Sequence, residues 1–97
     1  MTMCESKPVL TLYTKSNCFQ CEATKKYLNN HNTRYQEISL EEDELALAAA
    51  KDLGYRAAPV VFVRYPSGAE SHWAGFNPGR LADFVASAKK WARDDLS

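Results

Sequence analysis

The sequence predicts an α/β fold in which a four-stranded mixed sheet carries helices on both faces. Strand-like runs of β-branched and aromatic residues alternate with segments of helical periodicity in the order β-α-β-α-β-β-α. The β-α-β start implies a parallel pair of strands joined by a right-handed crossover. A short turn at 66–68 joins the last two strands, so these must pair antiparallel. Helices on both faces are the natural way to bury such a sheet.

Each predicted element has a local sequence signal. Val9–Thr14 is rich in β-branched and aromatic residues, which favour a buried strand. The asparagine-rich cluster at 29–32 suits a helix end with left-handed geometry. The acidic run at 41–44 suits the positive end of a second helix, and Gly54 is a natural stop for that helix. The predicted elements are strands 9–14, 34–38, 59–63 and 69–74, and helices 18–31, 41–53 and 78–93.

Composition limits the classes of protein to which the chain can belong. Its 97 residues fit a single domain, with residues 1–8 as a polar N-terminal extension. Twelve basic and twelve acidic residues give zero formal charge, which predicts no nucleic-acid partner. The apolar runs are too short to span a bilayer, and the first residues lack the apolar stretch of a signal peptide. We therefore predict a cytoplasmic monomer without a membrane partner.

Cys18 and Cys21 form a C-x-x-C pair where the first predicted strand gives way to the first helix. The N–H groups and positive dipole at a helix N-terminus stabilise a thiolate, which is the attacking species in thiol–disulfide exchange. Lys15 adds a nearby cation if its side chain folds back. Cys21 comes one turn later, so its sulfur faces the interior and reaches Cys18. The pattern predicts Cys18 as the attacking thiol and Cys21 as the resolving thiol, with their disulfide as the redox centre and no other cofactor.

A zinc half-site is the alternative interpretation of the C-x-x-C pair. A structural zinc ion needs four ligands, which usually come as two close pairs. The remaining candidate ligands are Cys4, His31 and His72, and they form no second close pair. We therefore expect no bound metal, and we expect Cys4 to be a free thiol.

Three segments resemble the glutaredoxin and NrdH-redoxin branch of the thioredoxin superfamily. They are the strand end and C-x-Q-C pair at 12–21, the segment at 53–61 around a proline, and the W-x-G-F-x-P stretch at 73–78. The resemblance extends over nearly the whole chain from Val9. The combination of C-x-Q-C with W-x-G-F is similar to NrdH-redoxins, whereas glutathione-dependent glutaredoxins more often carry C-P-Y-C.

This resemblance implies a thioredoxin fold, reduction by thioredoxin reductase and electron delivery to the large subunit of class Ib ribonucleotide reductase. We therefore expect an electron carrier with protein disulfide reductase activity. A glutathione-dependent glutaredoxin and a general protein disulfide reductase are the alternatives. A redox-sensing regulator of the arsenate-reductase-like type is a further one, although such chains are longer and carry an extra helical portion.

Pro59 opens a predicted central strand, and a proline in that position suggests a turn or a cis peptide bond. The resemblance implies a cis-proline beside the cysteines, where it exposes the backbone of the preceding residue to a substrate strand. We therefore expect a cis Ala58–Pro59 bond, with both residues contributing to substrate docking.

Five further residues complete the predicted site. Phe19 lies between the cysteines and is expected to be exposed, where an aromatic ring suits partner docking. Gln20, Gly75 and Phe76 are predicted to share that docking role, with Gly75 allowing close approach of the backbone. Tyr13 is expected to pack beside the cysteines and support them.

The chain departs from the family pattern at three positions. Ser16 stands where proline is usual, which predicts a looser approach to Cys18. Asn77 and Gly79 stand where arginine and aspartate are usual, which predicts the loss of an arginine–acid contact that ties the last helix to the rest.

Overall fold

The computed structural model describes residues 8–55 and 57–96, with side chains described as far as residue 89. These residues form secondary-structure elements in the predicted order. The elements are β1 (Val9–Thr14), α1 (Phe19–Asn30), β2 (Gln36–Ser39), α2 (Glu44–Asp52), β3 (Val60–Arg64), β4 (Glu70–Ala74) and α3 (Pro78–Leu96).

The four strands form one mixed sheet in the order β2-β1-β3-β4. β1 pairs in parallel with β2, as the crossover through α1 requires, and antiparallel with β3. β3 and β4 form the predicted antiparallel hairpin. The predicted sheet topology is therefore confirmed, and it leaves the end of β1 and the start of β3 beside each other at one end of the sheet.

Element boundaries differ from the prediction where a cap or a strand ladder decides them. α2 begins at Glu44, because the Asp43 carboxylate accepts a hydrogen bond from the Ala46 N–H at 3.0 Å and caps the helix there. Glu41 therefore lies outside the helix that it was predicted to begin. β2 starts at Gln36 because its ladder pairs with Thr11 and the residues after it. Of the predicted N-terminal extension, residues 1–7 lie outside the described residues.

The apolar core lies between the sheet and the pair of helices α1 and α3. Leu12 of β1 and Val61 of β3 are paired neighbours on adjacent strands, and both are fully buried. Leu28 from α1 and Phe84 from α3 pack against this face. α2 lies over the opposite face, where Ala50 is buried. The helices on both faces thus confirm the predicted layers.

A charged cluster joins α1 to β2 next to the core. The Lys25 ammonium lies 3.0 Å from a Glu22 carboxylate oxygen and 3.2 Å from Glu37 of β2. The Thr14 hydroxyl donates to the same Glu37 oxygen at 3.2 Å. These contacts raise the pKa of Lys25 above 10.5, chiefly through the hydrogen bond to Glu22 and also through Glu37, against the opposing effect of burial. The charged form of Lys25 is therefore favoured by folding.

We expect Lys25→Met to lower the free energy of unfolding by about 0.5 kcal/mol at neutral pH. Because the pKa of Lys25 is higher in the folded state than in the unfolded state, its contribution is complete below pH 10.5 and disappears as the pH rises through the raised value. Urea unfolding of both proteins at neutral and alkaline pH measures this. Lys26→Met, at an exposed neighbouring lysine, is the control. A difference between Lys25→Met and wild type that stays constant into the alkaline range would contradict the prediction.

Candidate active site

A disulfide joins Cys18 and Cys21 at the N-terminus of α1. Their Cα atoms lie 5.2 Å apart, and the Cys21 N–H donates a hydrogen bond to the Cys18 sulfur at 3.1 Å. Cys18 is the N-cap residue of α1 and has an extended backbone, which turns its sulfur onto the first turn of the helix. Its sulfur therefore occupies the position where backbone donors and the helix dipole favour a thiolate.

The two cysteines differ in burial, and Phe19 between them is open to solvent. Cys18 is 9% exposed and Cys21 only 1%, so an external disulfide can approach Cys18 more readily than Cys21. The Phe19 side chain is 88% exposed, as predicted. An unburied aromatic ring beside the disulfide leaves apolar area available for a partner.

Pro59 is buried immediately before β3, and the Ala58–Pro59 bond is cis, as predicted. The Pro59 carbonyl accepts a hydrogen bond from the Gly75 N–H at 2.8 Å. Ala58 is half-buried and lines a cavity of about 850 Å³ that also receives Lys15. The backbone before Pro59 thus lines an open cavity.

The turn between β4 and α3 reaches the segment between the cysteines. Gly75 has a φ of +86°, a conformation that side chains with a Cβ rarely adopt. The next residue, Phe76, donates its backbone N–H to the side-chain oxygen of Gln20 at 2.8 Å. The Phe76 ring is 37% exposed and meets Tyr27 edge-on, with ring centres 6.4 Å apart. Gln20, which was predicted to dock substrate, therefore accepts an intramolecular hydrogen bond.

Comparison with known proteins identifies the family. The glutaredoxin family model matches residues 10–65. The glutaredoxin-like protein NrdH of Lactococcus lactis is 34% identical over 74 residues, which cover 76% of this chain and 96% of that protein. NrdH of Escherichia coli is 32% identical over 72 residues, which cover 74% and 83%. The chain belongs to the glutaredoxin-like NrdH family.

Solved structures agree with this family. The NrdH-redoxin of Escherichia coli, described as a glutaredoxin-like protein with a thioredoxin-like activity profile, superposes with a TM-score of 0.68 at 30% identity. The match covers 76% of this chain and 91% of that one. The thioredoxin-like protein BC3987 matches with a TM-score of 0.62 at 25% identity, over 77% and 97% of the two chains. The expected thioredoxin-like fold is confirmed.

Tyr13 does not lie where the sequence prediction placed it. Successive side chains of a strand point to opposite faces of the sheet. Leu12 faces the core beneath α1, so Tyr13 points to the α2 face, where it lines a groove with Leu53 and Phe62. The prediction that Tyr13 packs beside the cysteines is therefore wrong. The predicted influence of Lys15 on Cys18 stays a prediction, since Lys15 is exposed at the cavity wall.

Ser16, which the resemblance marks as a departure from the family pattern, makes two hydrogen bonds in the structure. The Ser16 N–H donates to one oxygen of the Glu41 carboxylate at 3.1 Å, and its hydroxyl donates to the other at 3.0 Å. Nearby, the Leu40 N–H donates to the Thr14 carbonyl at 2.8 Å. The expectation of a looser approach to Cys18 is therefore wrong, because hydrogen bonds to the β2–α2 loop restrain this segment. A proline at position 16 would have no N–H to donate.

We expect Glu41→Ala to slow protein disulfide reduction by about threefold. The change removes both oxygens that accept hydrogen bonds from Ser16, so the segment before Cys18 is no longer held in place. The measurement is kcat/KM for reduction of a protein disulfide by the pre-reduced protein. Glu42→Ala is the matched control, because it removes the same charge at the next, exposed position. Equal rates for the two variants would show that the Ser16 contacts do not matter.

The start of α3 holds Asn77, a second position that the resemblance marks as a departure from the family pattern. The Asn77 side chain accepts a hydrogen bond from the Arg80 N–H at 3.1 Å and so caps α3. The Arg80 guanidinium lies 5.4 Å from the centre of the Trp73 ring and donates to the Ser71 hydroxyl at 3.2 Å. These contacts tie α3 to β4. Sequence reasoning did not predict these contacts of Arg80, nor those of Glu41 with Ser16. The unusual residues at 77 and 16 were the available signals for them.

The zinc alternative gains no support from the described residues. The Nδ1 atoms of both histidines lie within hydrogen-bond distance of other groups. His31 Nδ1 is 2.9 Å from the Tyr27 carbonyl oxygen, and His72 Nδ1 is 2.8 Å from the Tyr55 hydroxyl. Among residues 8–55 and 57–96, no group of three or more His, Cys, Asp or Glu residues could hold a metal ion. Cys4 lies outside the described residues. None of the described helices is both long enough and apolar enough to cross a membrane.

Proposed function

We propose that this protein is a dithiol electron carrier of the NrdH type that reduces disulfides in other proteins. The observation that carries the proposal is the Cys18–Cys21 disulfide at the N-terminus of α1, with Cys21 buried beneath Cys18. Cis-Pro59, the neighbouring cavity and the exposed Phe19 ring supply the surroundings in which a partner's backbone and side chains are received.

The exchange proceeds in two balanced steps. In the first, the Cys18 thiolate attacks one sulfur of the target disulfide, the target's S–S bond breaks, and its second sulfur leaves as a thiolate that takes up a proton. In the second, Cys21 loses its proton and attacks Cys18 Sγ, which breaks the mixed disulfide and releases the other target thiol. Two electrons pass to the target, and the Cys18–Cys21 disulfide is formed.

We further propose thioredoxin reductase as the electron donor and the large subunit of class Ib ribonucleotide reductase as the acceptor. The family supports this assignment, as does the thioredoxin-like activity profile named for the Escherichia coli NrdH-redoxin. We place the reaction in the cytoplasm, because a reducing compartment keeps such a thiol pair available for turnover. We also propose that the carrier acts as a monomer.

A coupled assay tests the donor and the acceptor separately. NADPH consumption is followed with bacterial thioredoxin reductase and an excess of a protein disulfide, and in parallel with glutathione and glutathione reductase. The first system is then repeated with class Ib ribonucleotide reductase as the acceptor. We expect turnover with the first system and little with the second. Turnover with glutathione alone would identify a glutathione-dependent glutaredoxin. Turnover with thioredoxin reductase but no electron transfer to class Ib ribonucleotide reductase would identify a general protein disulfide reductase.

A further inference from the structure

Gln20 makes a contact across the active site that its exposed position does not suggest. Its side-chain oxygen accepts the Phe76 N–H at 2.8 Å, although the two residues are 56 positions apart in the chain. The Gln20 backbone carbonyl accepts the Thr24 hydroxyl at 2.9 Å, which fixes the first turn of α1. The side chain thus reaches out from an anchored backbone to the turn before α3.

That turn is held a second time by its other backbone donor. The Gly75 N–H donates to the Pro59 carbonyl at 2.8 Å, and the next N–H, that of Phe76, donates to Gln20. Two consecutive donors therefore connect the turn to the strand start at Pro59 and to the segment between Cys18 and Cys21. The predicted docking residues on these three segments are connected to one another by hydrogen bonds.

Gly75 shows how closely Gln20 approaches the turn. A Cβ placed at Gly75 would lie 3.1 Å from the Gln20 side-chain oxygen, tighter than ordinary contact. The same addition at Gly68, which has a similar φ of +96°, would meet nothing within 4 Å. Any side chain at 75 therefore presses on the Gln20 contact in addition to straining the backbone.

We infer that Gln20 is a positioning residue, whose side-chain carbonyl fixes the Gly75–Phe76 turn against the disulfide-bearing turn of α1. Through this contact Gln20 sets where the Pro59 carbonyl and the exposed Phe76 ring stand relative to Cys18. The inference rests on the proposed function, and it reassigns Gln20 from partner contact to internal support. Its side-chain oxygen already accepts the Phe76 N–H, so a partner N–H directed at the same lone pair would have to displace that bond.

The first test compares Gln20→Ala with Gln20→Glu, which keeps an acceptor at the same reach. One readout is the hydrogen-exchange rate of the Phe76 amide, resolved by NMR in the oxidised protein. The other is kcat/KM for reduction of insulin disulfides by the pre-reduced protein. For Gln20→Ala we expect about tenfold faster amide exchange and a threefold to tenfold lower kcat/KM. Gln20→Glu is expected to restore the amide protection and most of the rate.

The second test uses the two glycines as a matched pair. Gly75→Ala and Gly68→Ala both place a Cβ on a residue with a similar positive φ, but only the first presses on Gln20. We expect Gly75→Ala to repeat the fast Phe76 exchange and the rate loss of Gln20→Ala, and Gly68→Ala to change neither. The double variant Gln20→Ala/Gly75→Ala should be hardly slower than Gln20→Ala alone, because both changes break one contact.

The outcomes separate this inference from the proposed function. If wild type reduces insulin while Gln20→Ala matches it in both rate and Phe76 exchange, the positioning role is wrong and the proposed function stands. A slower Gln20→Ala with unchanged Phe76 exchange would also overturn it, by showing that Gln20 acts through direct partner contact. If wild type itself reduces no protein disulfide, the proposed function fails and the inference fails with it. Should Gly75→Ala not fold, the Gln20 pair alone decides.

Discussion

Cys18→Ser is expected to abolish protein disulfide reduction, with a loss of at least about 1,000-fold, whereas Cys21→Ser should accumulate a covalent mixed disulfide with its target. The two variants differ because the two sulfurs differ. Cys18 caps α1, with the Cys21 N–H directed at its sulfur, whereas Cys21 is 1% exposed and is bonded to Cys18. Removing the attacker stops the first step, and removing the resolver stops the second.

The measurement is non-reducing mass spectrometry after each pre-reduced variant is mixed with a protein disulfide, alongside the insulin reduction rate. Cys4→Ser serves as the control for the third cysteine, and we expect it to behave as wild type. A mixed disulfide on Cys21 in the Cys18→Ser variant would reverse the assigned roles. Normal turnover by Cys21→Ser would refute the two-cysteine mechanism.

The disulfide site could be predicted from the sequence because its determinants are local. Strand β1 was predicted with its exact limits, and α1 within one residue at each end. Cys18 and Cys21 follow the end of β1 within a few positions, so neighbouring residues in the sequence determine their geometry. The cis bond before Pro59 followed from the family resemblance and the position of that proline.

What sequence reasoning missed depends on contacts between distant segments. Gln20 and Phe76 are 56 residues apart, and Ser16 and Glu41 are 25 apart. A glutamine between two cysteines gives no sign of which backbone donor it will meet. Glu41 was placed in a helix because acidic residues suit a helix start, but Asp43 is the residue whose carboxylate caps it.

Tyr13 illustrates a different kind of error. It was expected to pack beside the cysteines, yet the alternation of a strand sends adjacent side chains to opposite faces. The buried Leu12 and Thr14 face α1, and Tyr13 between them lines the groove beside α2. Period-two alternation applied to β1 would have placed Tyr13 correctly.

The last prediction concerns the core on which the site depends. Phe84 of α3 is 1% exposed and packs with Val61 of β3 and Trp73 of β4, the strands that lead from Pro59 and into Gly75. Because Pro59 directly precedes β3 and Gly75 directly follows β4, the packing of α3 on these strands determines whether both residues keep their places. Removing the ring leaves a cavity that rigid strands cannot close.

We therefore expect Phe84→Ala to lower the free energy of unfolding by about 3–5 kcal/mol, a large part of the roughly 5–15 kcal/mol that holds a domain together. Urea unfolding followed by circular dichroism measures the change. Asp83→Ala, at the adjacent exposed position, should stay within about 0.5 kcal/mol of wild type. A loss under about 1 kcal/mol would mean that the core closes around the missing ring. In that case the strands next to Pro59 and Gly75 do not depend on the Phe84 ring for their positions.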